Sequence, residues 1–96
     1  MTPEAKVKRA VTKLLKSRDV YYFYPVASGY GSAGIPDIVA CHRGLFIGIE
    51  CKAGKNQPTA LQLYNIEKIR NAGGLALVVW EDLTELVELL DNIQRT

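Results

Sequence analysis

The sequence predicts an α/β protein in which helices pack on the faces of a mixed β-sheet. Three observations favour this class. Apolar residues recur at helical spacing near both ends of the chain, aromatic and β-branched runs lie between them, and glycine-rich breaks separate the runs. The 96 residues fit one compact domain, since domains commonly contain about 100–150 residues. We therefore expect a single domain over residues 1–96, with its elements in the order αβββαβα.

The first helix is predicted from its start signal and its periodicity. Thr2 is a suitable N-cap, Pro3 suits the first helical position, and Glu4 falls in the first turn. The apolar residues that then recur at helical spacing are Val7, Ala10, Val11, Leu14 and Leu15.

Three strands are predicted after this helix. Residues 20–24 combine valine with four aromatic residues in a row, and Pro25 ends them. Residues 28–34 (SGYGSAG) have the composition of a loop. Residues 38–41 and 45–51 are two further strands on either side of a short turn.

The second half of the chain predicts a helix, a strand and a helix. Residues 59–72 form the first of these helices, which Gly73 ends as a left-handed cap. Residues 75–80 are a nearly continuous apolar run, typical of a strand covered on both faces. Asp82 and Glu85 resemble a capping box at the start of the last helix. The predicted buried stripe of that helix is Leu83, Leu86, Val87, Leu90 and Ile93.

The composition is that of an ordinary soluble domain, with 48% apolar and 23% charged residues. No apolar run approaches the roughly 18 residues that a membrane span requires. The basic N-terminal segment has no apolar stretch before it, which argues against a signal peptide. We therefore expect a cytoplasmic protein with no membrane partner.

The formal net charge is only +2, but the charges are unevenly distributed. Acidic residues dominate residues 81–96, and basic residues dominate residues 1–18. The basic residues of the first segment are Lys6, Lys8, Arg9, Lys13, Lys16 and Arg18. Such a segment can attract nucleic-acid phosphates, but two solvated helix faces of opposite sign would look the same.

The chemically informative residues are Asp37, Glu50 and Lys52. If residues 43–44 form a two-residue hairpin loop, Asp37 lies directly opposite Glu50, with Cβ atoms about 4.5–5.5 Å apart. Lys52 lies two residues beyond Glu50 and therefore points from the same face. Two carboxylates and one ammonium group would then meet at the mouth of an otherwise apolar hairpin.

Opposed carboxylates on one sheet face are costly unless a cation offsets their repulsion. Mg²⁺ suits this role, because it is commonly held by one or two carboxylates together with waters and phosphate. The main-chain carbonyl of Cys51 could supply a further oxygen ligand. The alternative is an exposed Glu–Lys pair on an edge strand, with Asp37 merely starting the neighbouring strand.

Residues 34–37 (GIPD) and 50–52 (ECK) resemble the PD-(D/E)xK nuclease signature. They are most similar to the virus-type replication-repair nuclease (VRR-NUC) family, which carries G-x-P-D, then E-x-K after a short hairpin, then a helix with glutamine in its first turns. The matching glutamine here is Gln62. The resemblance covers nearly the whole chain, and it implies a restriction-endonuclease-like core.

The resemblance also implies roles for individual residues. Asp37 and Glu50 would bind the metal together with the Cys51 carbonyl, and Lys52 would be the catalytic lysine, with Mg²⁺ as cofactor and Mn²⁺ as a substitute. Family members often carry a glutamate on the first helix, for which Glu4 is the candidate here, acting through a water molecule.

Two of these residues have plain alternatives. Glu4 lies at the margin of the apolar stripe of its helix, but an acidic residue in a first turn is also favoured by the helix dipole. Gln62 could orient a phosphate or the nucleophile as part of the catalytic set, or it could be an exposed helix residue.

Further residues are candidates for contacting nucleic acid. Backbone N–H groups in a glycine-rich loop can bind anions, and an exposed tyrosine can stack on an unpaired base, although a plain surface loop would have the same composition. The residues predicted to contact nucleic acid are Lys6, Lys8, Arg9, Ser28, Tyr30, Ser32 and Lys55.

The function that the resemblance implies is a metal-dependent DNA endonuclease acting on structured DNA. Stand-alone members of the family, in bacteria or phage-infected cells, are similar to Holliday-junction resolvases and act as homodimers. The chain is therefore expected to be a homodimeric resolvase of branched or four-way DNA. Two alternatives stay open: a nucleic-acid-binding module with the same fold that does not cut, and a nuclease specific for flaps or other structures.

Overall fold

The computed structural model describes residues 1–26 and 33–93. In that part of the chain the elements follow the predicted order, and the α/β class is confirmed. They are α1 (Pro3–Ser17), β1 (Tyr21–Phe23), β2 (Ile38–His42), β3 (Leu45–Cys51), α2 (Ala60–Asn71), β4 (Leu75–Val79) and α3 (Thr84–Asn92).

Within residues 1–26 and 33–93, the sheet has four strands in the order β1-β2-β3-β4. The first three are antiparallel neighbours, whereas β4 runs parallel to β3, so the predicted mixed sheet is confirmed. His42 pairs with Leu45 and Ile38 pairs with Ile49. Arg43 (φ 52°) and Gly44 (φ 85°) both have positive φ, as the two-residue hairpin turn of type I′ requires. The hairpin register on which the predicted site depends is therefore correct.

Alternate side chains of the strands divide the sheet into two faces. On one face they form a single core with α1 and α3. The fourteen buried residues of this core are Val7, Val11, Leu15, Val20, Ile38, Ala40, Ile47, Ile49, Cys51, Ala53, Leu77, Val79, Leu86 and Leu90. On the other face α2 packs over β3 and β4, where Arg70 donates to the carbonyl of Ala76 at 2.8 Å. No helix in residues 1–26 and 33–93 is long and apolar enough to span a membrane.

The predicted capping box at the start of the last helix is wrong. The helix begins at Thr84, and its N-cap, Leu83, has no side-chain hydrogen bond. Asp82 lies one residue before the N-cap, where its carboxylate accepts the Thr84 N–H at 2.9 Å and the Thr84 hydroxyl at 2.6 Å. The aspartate therefore closes a local turn instead of capping the helix.

Candidate metal centre

Three carboxylates converge at the end of the sheet where β2 begins and β3 ends. Glu4 comes from the first turn of α1, Asp37 directly precedes β2, and Glu50 lies near the end of β3. One oxygen from each residue lies within 4.8 Å of the others. The three acidic residues singled out from the sequence are thus brought together in the fold.

The chain leaves the strand ladder at Asp37, and this departure positions the carboxylate. Continuing the β2–β3 register would set residue 36 opposite Cys51. Instead Pro36 packs against Gly48, where an added Cβ would lie 3.0 Å from the proline ring. The Cys51 N–H, left without a strand partner, donates to Asp37 Oδ2 at 2.8 Å.

The same geometry bears on the predicted main-chain ligand. The N–H and C=O groups of a strand residue point toward the same neighbouring strand, so the Cys51 carbonyl is directed to the side on which Asp37 lies. The Cys51 side chain points into the core and is buried. Its burial, with Asp37 and Glu50 nearby, raises the pKa of the Cys51 thiol to about 12. Because the side chain points into the core, it is the carbonyl of this residue that is directed toward the carboxylates.

Gly34 holds the Asp37 segment against the first turn of α2. Its φ is +83°, and an added Cβ would lie 2.8 Å from the backbone of Leu61. Both the backbone conformation and the lack of space exclude a side chain here. This contact is a physical reason for the glycine three residues before Asp37.

Glu50 is the most deeply buried of the three carboxylates, with 2% of its surface exposed. Its Oε1 accepts a hydrogen bond from Gln62 Nε2 at 2.9 Å. Its Oε2 is buried and has no hydrogen-bond partner among the described residues. Burial first, and the nearby Asp37 carboxylate second, raise the pKa of Glu50 to about 8. An unpartnered buried carboxylate oxygen is costly, and a cation would satisfy it.

Gln62 has two structural roles at once. Its Oε1 accepts the Thr59 N–H at 2.9 Å, and its own N–H donates to Thr59 Oγ1 at 3.1 Å, which forms a capping box at the start of α2. Because the cap occupies Oε1, the amide nitrogen is left to face Glu50. The Thr-x-x-Gln spacing is a capping signal that was present in the sequence and would have strengthened the prediction for Gln62.

Lys52 follows β3 and lies on the same side of the sheet as Glu50. Its N–H donates to the Val79 carbonyl at 2.9 Å, which extends the ladder one residue beyond β3. The Lys52 side chain is largely buried, and its positive charge opposes the rise in the pKa of Glu50. No carboxylate of the described residues forms an ion pair with it.

Of the residues predicted to contact nucleic acid, those that the structure describes do not form one patch. Lys8 lies at the centre, with its ammonium 3.9 Å from Asp37 Oδ1. Lys6 and Arg9 are exposed and border a shallow groove on another side of α1. Lys55 is exposed in the turn after β3. The three loop residues lie outside the described part of the chain: Ser28, Tyr30 and Ser32.

The end of β4 supports the turn that follows β3, a role that the sequence did not suggest. The Glu81 carboxylate accepts the Gly54 N–H at 3.0 Å and 3.2 Å, and the Trp80 indole N–H donates to the Asn56 carbonyl at 2.9 Å. This turn forms one wall of an open cleft of about 520 Å³ whose opposite wall is the start of α1, including Glu4.

The raised pKa of Glu50 predicts how the stability of the metal-free protein depends on pH. A carboxyl whose pKa is raised from 4.5 to about 8 contributes stability that is present below about pH 4.5 and is lost as the pH rises through 8. In chelator, we expect the Tm to fall by about 4–8 °C over this range, which corresponds to roughly 1 kcal/mol for a domain of this size. Excess Mg²⁺ at pH 8.5 should restore most of the loss. Thermal unfolding followed by circular dichroism measures both effects, and a Tm that is flat or rises in chelator would contradict the prediction.

Comparison with known proteins gives a family. The model of the archaeal Holliday junction resolvase (Hjc) family matches residues 5–93. A solved structure described as a VRR_NUC domain superposes with a TM-score of 0.74 at 19% identity, covering 98% of this chain and 100% of that one. At this identity the likeness concerns the fold. No curated protein matches the chain. Because the family match spans nearly all of its length, the chain belongs to the archaeal Holliday junction resolvase family and is a nuclease of the PD-(D/E)xK type.

Proposed function

We propose that the protein is a divalent-cation-dependent endonuclease that cleaves phosphodiester bonds in branched DNA and acts on four-way junctions as a homodimer. The observation that carries the cation dependence is the convergence of three carboxylates around Glu50, whose Oε2 is buried and unpartnered among the described residues. Membership of the resolvase family supports the choice of substrate.

The donor atoms fit a hard cation. Glu4, Asp37 and Glu50 offer carboxylate oxygens, and the Cys51 carbonyl would add another oxygen. Oxygen ligands of this kind suit Mg²⁺, with Mn²⁺ as a substitute, whereas zinc and copper sites favour histidine or thiolate. Asp37, Glu50 and the Cys51 carbonyl would hold the ion, and Glu4 would contribute through a water molecule. A bound Mg²⁺ would supply Lewis-acid stabilisation of the charge on the phosphoryl group.

Lys52 and Gln62 have different proposed roles in the cleavage reaction. In hydrolysis, a water oxygen bonds to phosphorus and the bond to the leaving sugar oxygen breaks. Lys52, close to Glu50 and without a carboxylate partner among the described residues, would donate hydrogen bonds where negative charge develops or orient the attacking water. Gln62 holds one oxygen of Glu50, so that the other stays directed into the centre.

An exposed apolar surface supports the homodimer. On the face of the sheet that α2 covers over β3 and β4, the described residues leave aromatic side chains of β1 and of the start of β3 exposed, and we call this area, from β1 across β2 to the start of β3, the open half-face. Tyr21, Cys41 and Phe46 lie side by side there, with Phe23 in the next row. Tyr21, Phe23 and Phe46 are 70%, 47% and 45% exposed. Contiguous exposed apolar residues mark interaction surfaces, and we propose a second copy of the chain as the partner.

A substrate panel tests the proposed function. Labelled four-way junction, flap and linear duplex are incubated with Mg²⁺, with Mn²⁺ and with chelator. We expect paired symmetric nicks on the junction with either metal, none in chelator, and an intact linear duplex. Cleavage that persists in chelator would contradict the metal mechanism. Binding without cleavage would instead favour the non-cutting module, and preferential flap cleavage would favour the other structure-specific nuclease.

The proposed dimer is tested by introducing a charged residue on the open half-face. Phe23→Glu should convert the protein to a monomer in analytical ultracentrifugation and make the two nicks on a junction independent of one another. Leu63→Glu is the matched control, because Leu63 is 48% exposed and lies two helical turns before Arg70, on the side of α2 that faces β4. A monomeric unmodified protein, or a Phe23→Glu variant that remains dimeric, would exclude this interface.

A further inference from the structure

Lys8 is a partly exposed residue beside the three carboxylates. It lies one turn after Glu4 on the same face of α1, and its ammonium is 3.9 Å from Asp37 Oδ1. That oxygen is the one that the Cys51 N–H does not use, since the N–H donates to Oδ2. The Lys8 side chain is 39% exposed, so it can move without disturbing the core.

Lys8 also borders two clefts, one that is lined by Glu4 and one that is lined by Asp37. The first is the cleft between the start of α1 and the turn after β3. The second, of about 340 Å³, lies between Lys8 and Asp37 and is lined by an aromatic and three apolar residues: Tyr24, Pro25, Ile35 and Pro36. A DNA strand that crosses the centre from one cleft to the other would pass over the Lys8 ammonium.

The position of Lys8 sets two cations in competition for Asp37. An exposed ion pair at this distance is weak, so a divalent cation at the carboxylates would displace the ammonium by charge repulsion as well as by ligation. The displaced ammonium would then be free for a phosphate. Lys52 cannot act in this way, because its side chain is largely buried.

We propose that Lys8 couples metal binding to DNA binding. In the metal-free protein it pairs with Asp37, and when the cation binds it moves to a DNA phosphate next to the one that is cleaved. The inference rests on the proposed nuclease function and adds a regulatory role to it. Because coupling between two ligands is reciprocal, DNA would tighten metal binding by the same factor by which metal tightens DNA binding.

The coupling predicts that Lys8→Met strengthens metal binding and weakens DNA binding. Mn²⁺ binding to the DNA-free protein, measured by titration calorimetry, should become about 3–10-fold tighter, because a nearby positive charge and a competitor for Asp37 are both removed. Binding to a four-way junction in the presence of Ca²⁺, with DNA integrity checked on a denaturing gel, should become weaker. The plot of log K for DNA binding against log salt concentration should become less steep, by the amount that about one phosphate contact contributes. In chelator the loss of DNA affinity should be at least about threefold smaller than in Ca²⁺.

Lys13→Met is the control, since it removes the same charge from an exposed position farther along α1. It should leave Mn²⁺ affinity unchanged, and thermal unfolding should show that both variants are folded. Unchanged or weaker Mn²⁺ binding by Lys8→Met, or an equal loss of DNA affinity with and without metal, would overturn the coupling. Failure of the unmodified protein to bind Mn²⁺ or to cleave DNA would instead contradict the proposed function itself.

Discussion

Replacing Glu50 with glutamine should reduce junction cleavage by at least about 10³-fold, because it removes a ligand of the cation that would stabilise the negative charge of the transition state. The fold should tolerate the change, because the glutamine carbonyl can still accept the hydrogen bond that Gln62 Nε2 donates to Oε1. The new amide nitrogen would occupy the place of Oε2, which is buried and unpartnered in the described residues. There it could donate to the nearby Glu4 or Asp37 carboxylates.

The same substitution should stabilise the metal-free protein at high pH. Glutamine carries no charge to bury, so the Tm in chelator should not fall as the pH rises through 8, unlike that of the unmodified protein. At pH 9 we expect the variant to melt about 4–8 °C higher, equivalent to roughly 1 kcal/mol. Mg²⁺ should no longer raise its Tm, because one of the carboxylates is lost.

Glu88→Gln is the matched control for this experiment, because Glu88 is an exposed glutamate on α3, away from the three carboxylates. It should change neither cleavage nor the pH dependence of the Tm. If Glu50→Gln cleaves the junction within tenfold of the unmodified rate, Glu50 is not an essential ligand of the proposed metal centre. If the variant is less stable than the unmodified protein in chelator at pH 9, the buried charge of Glu50 does not destabilise the fold.

Replacing Gly34 with alanine should have the largest effect on stability. The left-handed conformation alone costs an L-residue about 1–2 kcal/mol, and overpacking against Leu61 adds about 1–3 kcal/mol. With an added Cβ only 2.8 Å from the Leu61 backbone, we expect a total of about 2–5 kcal/mol, which lowers the Tm by roughly 10–30 °C. Cleavage should also fall at temperatures where the variant is folded, because Gly34 anchors the segment that carries Asp37.

Gly44→Ala separates the two causes. Gly44 has nearly the same φ, +85°, but an added Cβ there would have nothing within 4 Å. It should therefore show only the conformational cost of about 1–2 kcal/mol and should keep its cleavage rate when folded. Equal destabilisation of the two variants would mean that the contact between Gly34 and α2 contributes nothing.

The proximity of Asp37 to Glu50 could be predicted from the sequence because few steps separate the two. A two-residue turn fixes the register of a hairpin, and the side-chain period of two then determines which residues share a face. The contact between Gln62 and Glu50 depends on how α2 is rotated about its axis over the sheet. Tertiary packing sets that rotation, and the local sequence shows it only through the capping box with Thr59.

The cluster of basic residues near the N-terminus does not by itself show which of them lies near the carboxylates. Lys6, Lys8 and Arg9 are close in sequence, but successive residues of a helix are about 100° apart, so they cannot all face one site. Which of them points to Asp37 depends on the apolar stripe of α1 and on where the helix meets the sheet. The support that Glu81 gives to the turn after β3 joins residues 27 positions apart, and no local pattern predicts it.

The amide of Gln62 joins two features that are usually separate, the first turn of a helix and the carboxylate that we propose as a metal ligand. Fraying of helix ends is among the openings that cost a folded protein the least free energy. Here, unwinding of the first turn of α2 would withdraw the hydrogen bond that Gln62 donates to Glu50. We therefore expect substitutions at Thr59 to change how often Glu50 loses this hydrogen bond, although Thr59 is not itself a proposed metal ligand.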